Sequence, residues 1–113
     1  IAALADPKLR TLVAAIHREP GEDWTIERML KYAPFSRSAL IERFTAVLSV
    51  TPVNYVVNCR MLEAERLLLG SKKNIAAIAV EMGYSTEAAF RRAFKRVTGK
   101  NASDLRRSPN GDG

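Results

Sequence analysis

Two segments of this chain repeat one another, which restricts the fold to two copies of a single unit. Residues 25–55 match residues 74–105, at an offset of 49 before an inserted residue and of 50 after it. The matched pairs are Ile26 with Ile75, Met29 with Ile78, Ala33 with Met82, Phe35 with Tyr84, Ser36 with Thr86, Leu40 with Phe90, Phe44 with Phe94, Val47 with Val97, Thr51 with Asn101 and Tyr55 with Leu105. Most of these positions are apolar in both copies. The repeat therefore predicts two equivalent units.

Each copy has the signals of a short helix, a tight turn and a second helix, which is the helix-turn-helix shape. Thr25 and Asn74 are predicted to cap the two short helices, the first of which is expected over 26–32. The second helices are predicted over 37–48 and 87–98. The first unit is thus expected over 25–48 and the second unit over 74–98.

The remaining segments also favour helices. Asp6 followed by Pro7 is a typical helix start, and a short last helix is predicted over 103–107. A linker helix is predicted over 52–69, where apolar spacing favours a helix although the segment VTPVNYVV is also compatible with a strand. The predicted fold class is all-α, with about seven helices, two helix-turn-helix units and a long linker helix. The domain is expected over 1–107, with a flexible tail over 108–113.

The length of the linker helix bears on what the two units can bind together. At 1.5 Å per residue, about 18 residues span about 27 Å. This length is near the roughly 34 Å that separates successive major-groove faces of B-DNA. The two second helices are therefore expected to reach adjacent turns of one duplex.

The net charge of the chain also favours a nucleic-acid partner. The formal net charge is +6, and residues 56–113 carry 11 Lys and Arg against 6 Asp and Glu, whereas residues 1–55 carry 7 against 6. A basic balance favours an acidic partner, most often nucleic acid and less often a membrane surface. No apolar run approaches the roughly 18 residues of a membrane span, so no membrane partner is expected.

Several motifs resemble the DNA-binding domain of the AraC/XylS transcriptional regulators. They are FTAVLSVTPVNY from Phe44, IAAIAVEMGY from Ile75 and FRRAFKRVTG from Phe90, and the likeness covers most of the chain. It implies sequence-specific binding of double-stranded DNA by two helix-turn-helix units in adjacent major grooves. It also implies an N-terminal sensor or dimerisation domain, often cupin-like, and contact with RNA polymerase. The first residue, Ile1, fits a piece of a longer polypeptide.

The second helix of the second unit is expected to have an apolar side and a polar face opposite it. A helix turns by about 100° per residue, which places on the apolar side Phe90, Ala93, Phe94 and Val97. The resemblance to the family implies that part of this polar face contacts base edges. Arg can donate to guanine O6 and N7, and Glu can accept from cytosine N4. The base-reading candidates are Glu87, Ala88, Arg91 and Arg92. Lys95 and Arg96 are expected at phosphates, and Thr86 at the helix start completes the predicted surface. The competing interpretation is a merely solvated basic face.

The corresponding face of the first unit is less basic. Its predicted DNA-binding residues are Arg37, Ser38, Ile41, Glu42 and Thr45. Arg37 suits a phosphate, Ser38 or Glu42 a base edge, and Ile41 either a thymine methyl or no partner at all. Arg60 of the linker helix, where the family has an arginine, is predicted to contact either a phosphate or a helix end.

The sequence departs from the family pattern at Pro34, Leu30, Ser49 and Ala102. Pro34 stands where the family usually has glycine, and proline cannot take the positive φ that glycine allows. We therefore expect the short helix to end by about Tyr32, followed by a looser turn. The first unit is then expected to dock weakly or to depend on the sensor domain.

Other functions have less support. His17 is the only histidine and Cys59 the only cysteine, so neither a catalytic relay nor a two-histidine metal site is expected. We predict no enzyme activity, no metal and no cofactor. A single cysteine suits the reducing cytoplasm, and Cys59 is expected to be a packing residue. The alternative function is a helical protein-interaction domain that docks on an acidic partner such as RNA polymerase.

Overall fold

The computed structural model describes residues 6–107, so the tail predicted over 108–113 lies outside the described residues. All regular secondary structure in that range is α-helical, which confirms the all-α fold class. The helices are α1 (Pro7–Arg18), α2 (Ile26–Met29), α3 (Arg37–Leu48), α4 (Pro52–Gly70), α5 (Ile75–Glu81), α6 (Glu87–Thr98) and α7 (Ala102–Arg107). The chain forms two compact units, one ending at Cys59 and the other beginning at Arg60.

In the first unit, side-chain caps begin three helices. The Asp6 carboxylate accepts a hydrogen bond from the Lys8 N–H at 3.1 Å, and the hydroxyls of Thr25 and Ser36 cap α2 and α3. Each cap satisfies an amide that the helix itself leaves without a partner. The buried core beneath these helices includes Leu9, Leu12, Ile16, Trp24, Met29, Leu40 and Phe44.

Helix α2 is shorter than the sequence predicts. It ends at Met29, and the predicted extension to Tyr32 is a tighter turn in which amides bond to carbonyls three residues back. Beyond it, the Phe35 N–H donates to the Ala33 carbonyl at 2.9 Å, which closes a turn over Pro34. Because proline disfavours helical angles in the residue before it, the helix cannot continue through Ala33.

Helix α4 is one continuous helix, so the possible strand at VTPVNYVV is ruled out for these residues. The Thr51 hydroxyl accepts from the Asn54 N–H at 3.3 Å at its start. The apolar spacing is misleading at that end, because Val53 is 54% exposed whereas Val56 is buried. The first residues of α4 belong to the first unit and its last residues belong to the second.

In the second unit, α5 begins at the Asn74 cap, whose side-chain oxygen accepts from the Ala77 N–H at 2.8 Å. It ends in a turn with two hydrogen bonds, from the Tyr84 N–H to the Ala79 carbonyl and from the Gly83 N–H to the Val80 carbonyl, each 3.0 Å. Gly83 has a φ of 87°. This is a Schellman motif with glycine in the left-handed position. The buried residues of this unit include Met61, Ala64, Leu67, Leu68, Ile78, Met82, Phe90 and Phe94.

The last helix, α7, is fastened to the end of α4 by one side chain. The Arg106 guanidinium donates to the carbonyls of Leu68 at 2.9 Å, Leu67 at 3.1 Å and Lys73 at 2.5 Å. These are carbonyls at and just beyond a helix end, and an arginine fork can bond several of them at once.

The two copies agree in burial at most of their matched positions, although Val47 is half-buried and its counterpart Val97 is 38% exposed. Leu40 and Phe90 are both fully buried, as are Phe44 and Phe94. The second helix of each copy also ends in a left-handed residue, Ser49 with φ 62° in one and Gly99 with φ 77° in the other. The turn before that helix is the main difference between the copies.

Candidate nucleic-acid interface

Helix α6 is held by its start and by one apolar face. The Thr86 hydroxyl accepts from the Ala89 N–H at 3.0 Å, so this predicted contact residue already has a capping role. Phe90, Ala93 and Phe94 are buried, and the rings of Phe90 and Tyr84 meet edge to face at 5.8 Å. The opposite face of α6 is therefore directed away from the core. Val97, predicted on the core side, is 38% exposed.

Two base-reading candidates on that face are bonded to each other. The Glu87 Oε2 atom accepts from Arg91 Nε at 2.8 Å and from Arg91 Nη2 at 2.7 Å, and both side chains are about 40% exposed. Arg91 Nη1 also donates to the Ser103 hydroxyl of α7 at 3.3 Å. The i,i+4 spacing of Glu87 and Arg91 indicates such a pair, but no local signal indicates Ser103.

The other candidates on α6 are exposed. Ala88, Arg92 and Arg96 extend from the surface, and neither arginine has a partner among residues 6–107. Lys95 is exposed as well, and its ammonium lies 3.4 Å from the Gly99 carbonyl at the end of the helix. The face thus presents guanidinium and ammonium groups beside a fixed Glu87–Arg91 pair.

Helix α3 presents a different surface. The Ser36 hydroxyl caps it at 3.2 Å and its inner face is buried. Ser38 and Glu42 are exposed and Ile41 is 39% exposed, whereas the half-buried Thr45 donates its hydroxyl to the Ile41 carbonyl at 2.7 Å. Arg37 forms an ion pair with Glu27 of α2. The cation predicted to anchor a phosphate therefore already has a carboxylate partner. A backbone hydrogen bond, followed by the hydrogen bond from Arg37, lowers the pKa of Glu27.

Arg60 is half-buried in the second unit. Its guanidinium lies over the ring of Tyr84, 5.7 Å from the ring centroid. Such stacking is favourable because the face of an aromatic ring attracts a cation. The phosphate contact of Arg60 stays a prediction.

No local signal in the sequence indicates the role of Arg43 in α3. Its Nε donates to the buried Asp6 carboxylate at 2.7 Å. This hydrogen bond is the largest cause of the lowered pKa of Asp6. Arg43 lies on the flank of α3 away from the predicted reading face, where Ala93 occupies the matched position of α6. The pair joins the start of α1 to α3, across 37 residues of sequence.

His17, Tyr55 and Cys59 lie together in the first unit. The Tyr55 hydroxyl bonds to His17 Nε2 at 2.5 Å, and the Cys59 sulfur lies 4.0 Å from the same nitrogen. Burial, with a smaller effect of Cys59, raises the pKa of Tyr55 to about 12. Burial also raises the pKa of the Cys59 thiol. A neutral buried thiol is unreactive, which agrees with a packing role.

Residues 6–107 contain no group of three His, Cys, Asp or Glu side chains placed to hold a metal ion. Nor is any helix in that part of the chain long and apolar enough to cross a membrane.

Comparison with known proteins identifies the fold. A helix-turn-helix domain family matches residues 29–108. A Streptomyces antibioticus protein named as an AraC-like transcription regulator is 38% identical over 109 residues, which are 96% of this chain and 36% of that protein. The chain belongs to the AraC/XylS family. The HTH-type transcriptional regulator AlkR of Acinetobacter baylyi is 40% identical over 96 residues, which are 85% of this chain and 31% of AlkR. This AraC/XylS chain thus spans about a third of the length of these curated relatives.

Solved structures of similar fold agree with the AraC/XylS assignment. The DNA-binding domain of AdpA, crystallised with a target DNA, has a TM-score of 0.83 and 26% identity, with 89% of this chain and 91% of that chain covered. The C-terminal domain of the response regulator AraT from Geobacillus stearothermophilus has a TM-score of 0.84 and 27% identity, with 92% of this chain and 87% of that chain covered. The AraC/XylS domain is a DNA-binding regulator domain, not an enzyme.

Proposed function

We propose that this chain is the sequence-specific DNA-binding part of a transcription regulator, and that α6 reads base edges in a major groove of double-stranded DNA. The observation that carries the proposal is the exposed basic face of α6, the second helix of a helix-turn-helix. Arg92 supplies a guanidinium that has no partner among residues 6–107 and is suited to guanine, while Lys95 and Arg96 suit phosphates. The AdpA domain in complex with its target DNA is a relative of matching fold, which supports DNA as the partner here.

Docking of α3 and α6 in adjacent major grooves is a further part of the proposal. The internal repeat supports it, since a protein-docking face needs no second copy of a groove-sized helix. The two units are expected to contribute unequally. In the first unit, Arg37 is engaged by Glu27 and Pro34 replaces the glycine turn that the second unit has.

Selection from a random duplex library tests binding, specificity and site length together. The 113-residue chain is expected to enrich a defined sequence. The logarithm of its association constant should fall linearly with the logarithm of the salt concentration, with a slope of about 0.9 for each phosphate neutralised. If Lys95 and Arg96 each neutralise a phosphate, the slope from α6 is about 1.8. Equal binding of an uncharged nucleic-acid analogue, or no enrichment at all, would contradict the proposal.

Footprinting of the selected site distinguishes the two units. We expect strong protection of one major-groove segment by α6 and weaker protection one helical turn away. Two equally protected segments would show that Pro34 and the Arg37–Glu27 pair do not weaken the first unit.

The remaining partners rest on the family resemblance alone. They are RNA polymerase and an N-terminal sensor or dimerisation domain, with the bacterial cytoplasm as the site of action. A reconstituted transcription assay, with a promoter that carries the selected site, would test the contact with RNA polymerase. Unchanged transcript levels at saturating protein would argue against it. A protein-interaction function without DNA has no observation of its own in its favour.

A further inference from the structure

Neighbouring arginines on α6 are in different physical states. Arg91 is half-buried and each of its three nitrogens has a partner, whereas Arg92 is exposed and has none among residues 6–107. An arginine loses rotamer entropy when it docks on a base, and a side chain already held in one geometry loses less. Arg91 is therefore the more preorganised of the two.

The hydrogen bonds of Arg91 leave part of its donor set available. A guanidinium has five N–H groups. Glu87 takes one from Nε and one from Nη2, and Ser103 takes one from Nη1. One N–H on each terminal nitrogen remains, which is the number that a bidentate contact to guanine O6 and N7 requires. The restraints are thus compatible with base reading.

Ser103 is well placed to act as a fixed restraint. It lies on α7, whose Ala102 is buried and whose Arg106 is bonded to the carbonyls of Leu67, Leu68 and Lys73. Glu87, by contrast, lies on the same helix as Arg91 and moves with it. The hydroxyl of Ser103 is consequently the contact that fixes the Arg91 guanidinium relative to the rest of the second unit.

We infer that Ser103 is a positioning residue for sequence recognition: through its hydroxyl, α7 sets the orientation in which Arg91 meets a base pair. This inference rests on the proposed DNA-binding function. It extends the specificity determinants of the second unit beyond the recognition helix to a residue that touches no base. A positioning hydroxyl that holds a base reader predicts a change in preference at one place in the site.

The experiment compares base preference across six proteins: wild type, Ser103→Ala, Ser103→Thr, Arg91→Ala, the Ser103→Ala/Arg91→Ala double variant and a stability control. Each is put through the same duplex-library selection and its melting temperature is measured. Arg91→Ala should identify the base pair, or two adjacent base pairs, that Arg91 reads. Ser103→Ala should lower the preference there by about 2- to 10-fold, which corresponds to the net strength of one hydrogen bond. Preference elsewhere in the site should not change.

Two controls separate positioning from stability. Ser103→Thr keeps a hydroxyl and should keep the wild-type preference. Thr25→Ala removes the hydroxyl that accepts from the Arg28 N–H at 3.0 Å at the start of α2, without touching Arg91 or α7. It should lower the melting temperature and leave the preference profile unchanged. In the double variant, loss of Ser103 should have no further effect on preference, because Arg91 is absent.

Several results would overturn the inference. One is a Ser103→Ala profile identical to wild type, and another is an equal loss of affinity for every sequence together with a lower melting temperature. A third is an undiminished effect of Ser103→Ala in the Arg91→Ala background. If the wild type itself enriches no sequence, the proposed function fails first and the inference fails with it. If the wild type enriches a site but Ser103→Ala does not alter it, only the inference fails.

Discussion

Replacing Ser49 by glycine should stabilise the first unit. Ser49 ends α3 with φ 62° and ψ 21°, and its N–H donates to the Thr45 carbonyl at 2.9 Å. The left-handed conformation costs a residue with a Cβ about 1–2 kcal/mol. Glycine removes that strain but loses about 0.5–1 kcal/mol more backbone entropy on folding. The difference leaves a net stabilisation of about 0.5–1 kcal/mol.

The loss of the serine hydroxyl does not complicate this estimate. Ser49 is exposed and its hydroxyl has no hydrogen-bond partner among residues 6–107. Ser49→Ala provides the matched control, because alanine removes the hydroxyl but keeps the Cβ that causes the strain. It should leave the stability close to that of the wild type.

Denaturant unfolding followed by tryptophan fluorescence is the suitable assay, because Trp24 is the only tryptophan and is buried in the first unit. In a thermal scan, Ser49→Gly should raise the melting temperature by about 2–5 °C. The reciprocal change Gly99→Ser, at φ 77° with open space around the added Cβ, should lower stability by a similar amount, measured by circular dichroism. If Ser49→Gly destabilises the chain, or if Ser49→Ala gives the same gain, the reasoning from backbone strain is wrong.

Four other changes test residues described above. Asp6→Asn should remove a pH-dependent part of the stability. Because the pKa of Asp6 in the folded chain lies below its usual 3.8, the stabilisation is complete above pH 3.8 and is lost as the pH falls through the folded-state pKa. The acid unfolding curves of wild type and variant should therefore converge at low pH. Arg106→Lys keeps the charge but cannot bond three carbonyls as a planar fork, and it should lower the free energy of unfolding by about 1–3 kcal/mol in denaturant titrations. Arg92→Ala should weaken binding of the selected site by about 1–3 kcal/mol and relax the preference at one or two base pairs. Lys95→Ala should weaken all sequences alike. An Arg92→Ala protein with unchanged affinity and preference would exclude Arg92 as a base reader.

Much of the fold follows from local signals in the sequence. The caps at Asp6, Thr25 and Asn74 act within three residues of themselves, so they are visible in the sequence. The repeat predicts which positions are buried, because matched residues such as Phe44 and Phe94 occupy the same place in each copy. The end of α2 is the exception, since the residues from Leu30 to Tyr32 form a tighter turn that helical spacing does not distinguish from an α-helix.

Contacts between distant residues could not be predicted in this way. Arg43 reaches Asp6 across 37 residues, and Arg106 reaches the Leu68 carbonyl across 38. Helical spacing indicates which face of a helix is polar, but it does not indicate the partner that a long side chain finds in the folded chain. The sequence therefore predicts the polar face of α6 correctly, but not the restraint that Ser103 places on Arg91.

The different turns at Pro34 and Gly83 make the two copies unequal in mutational tolerance. The Schellman turn has its left-handed residue at Gly83, with φ 87°, so most substitutions there strain the backbone. The turn over Pro34 has no positive φ, and its one hydrogen bond runs between backbone atoms of the flanking residues. A saturation library of this chain selected for folding should therefore accept many residues at position 34 and few at position 83. The first turn is the place where new sequences, and with them new docking geometries, can be explored at little cost to the second unit.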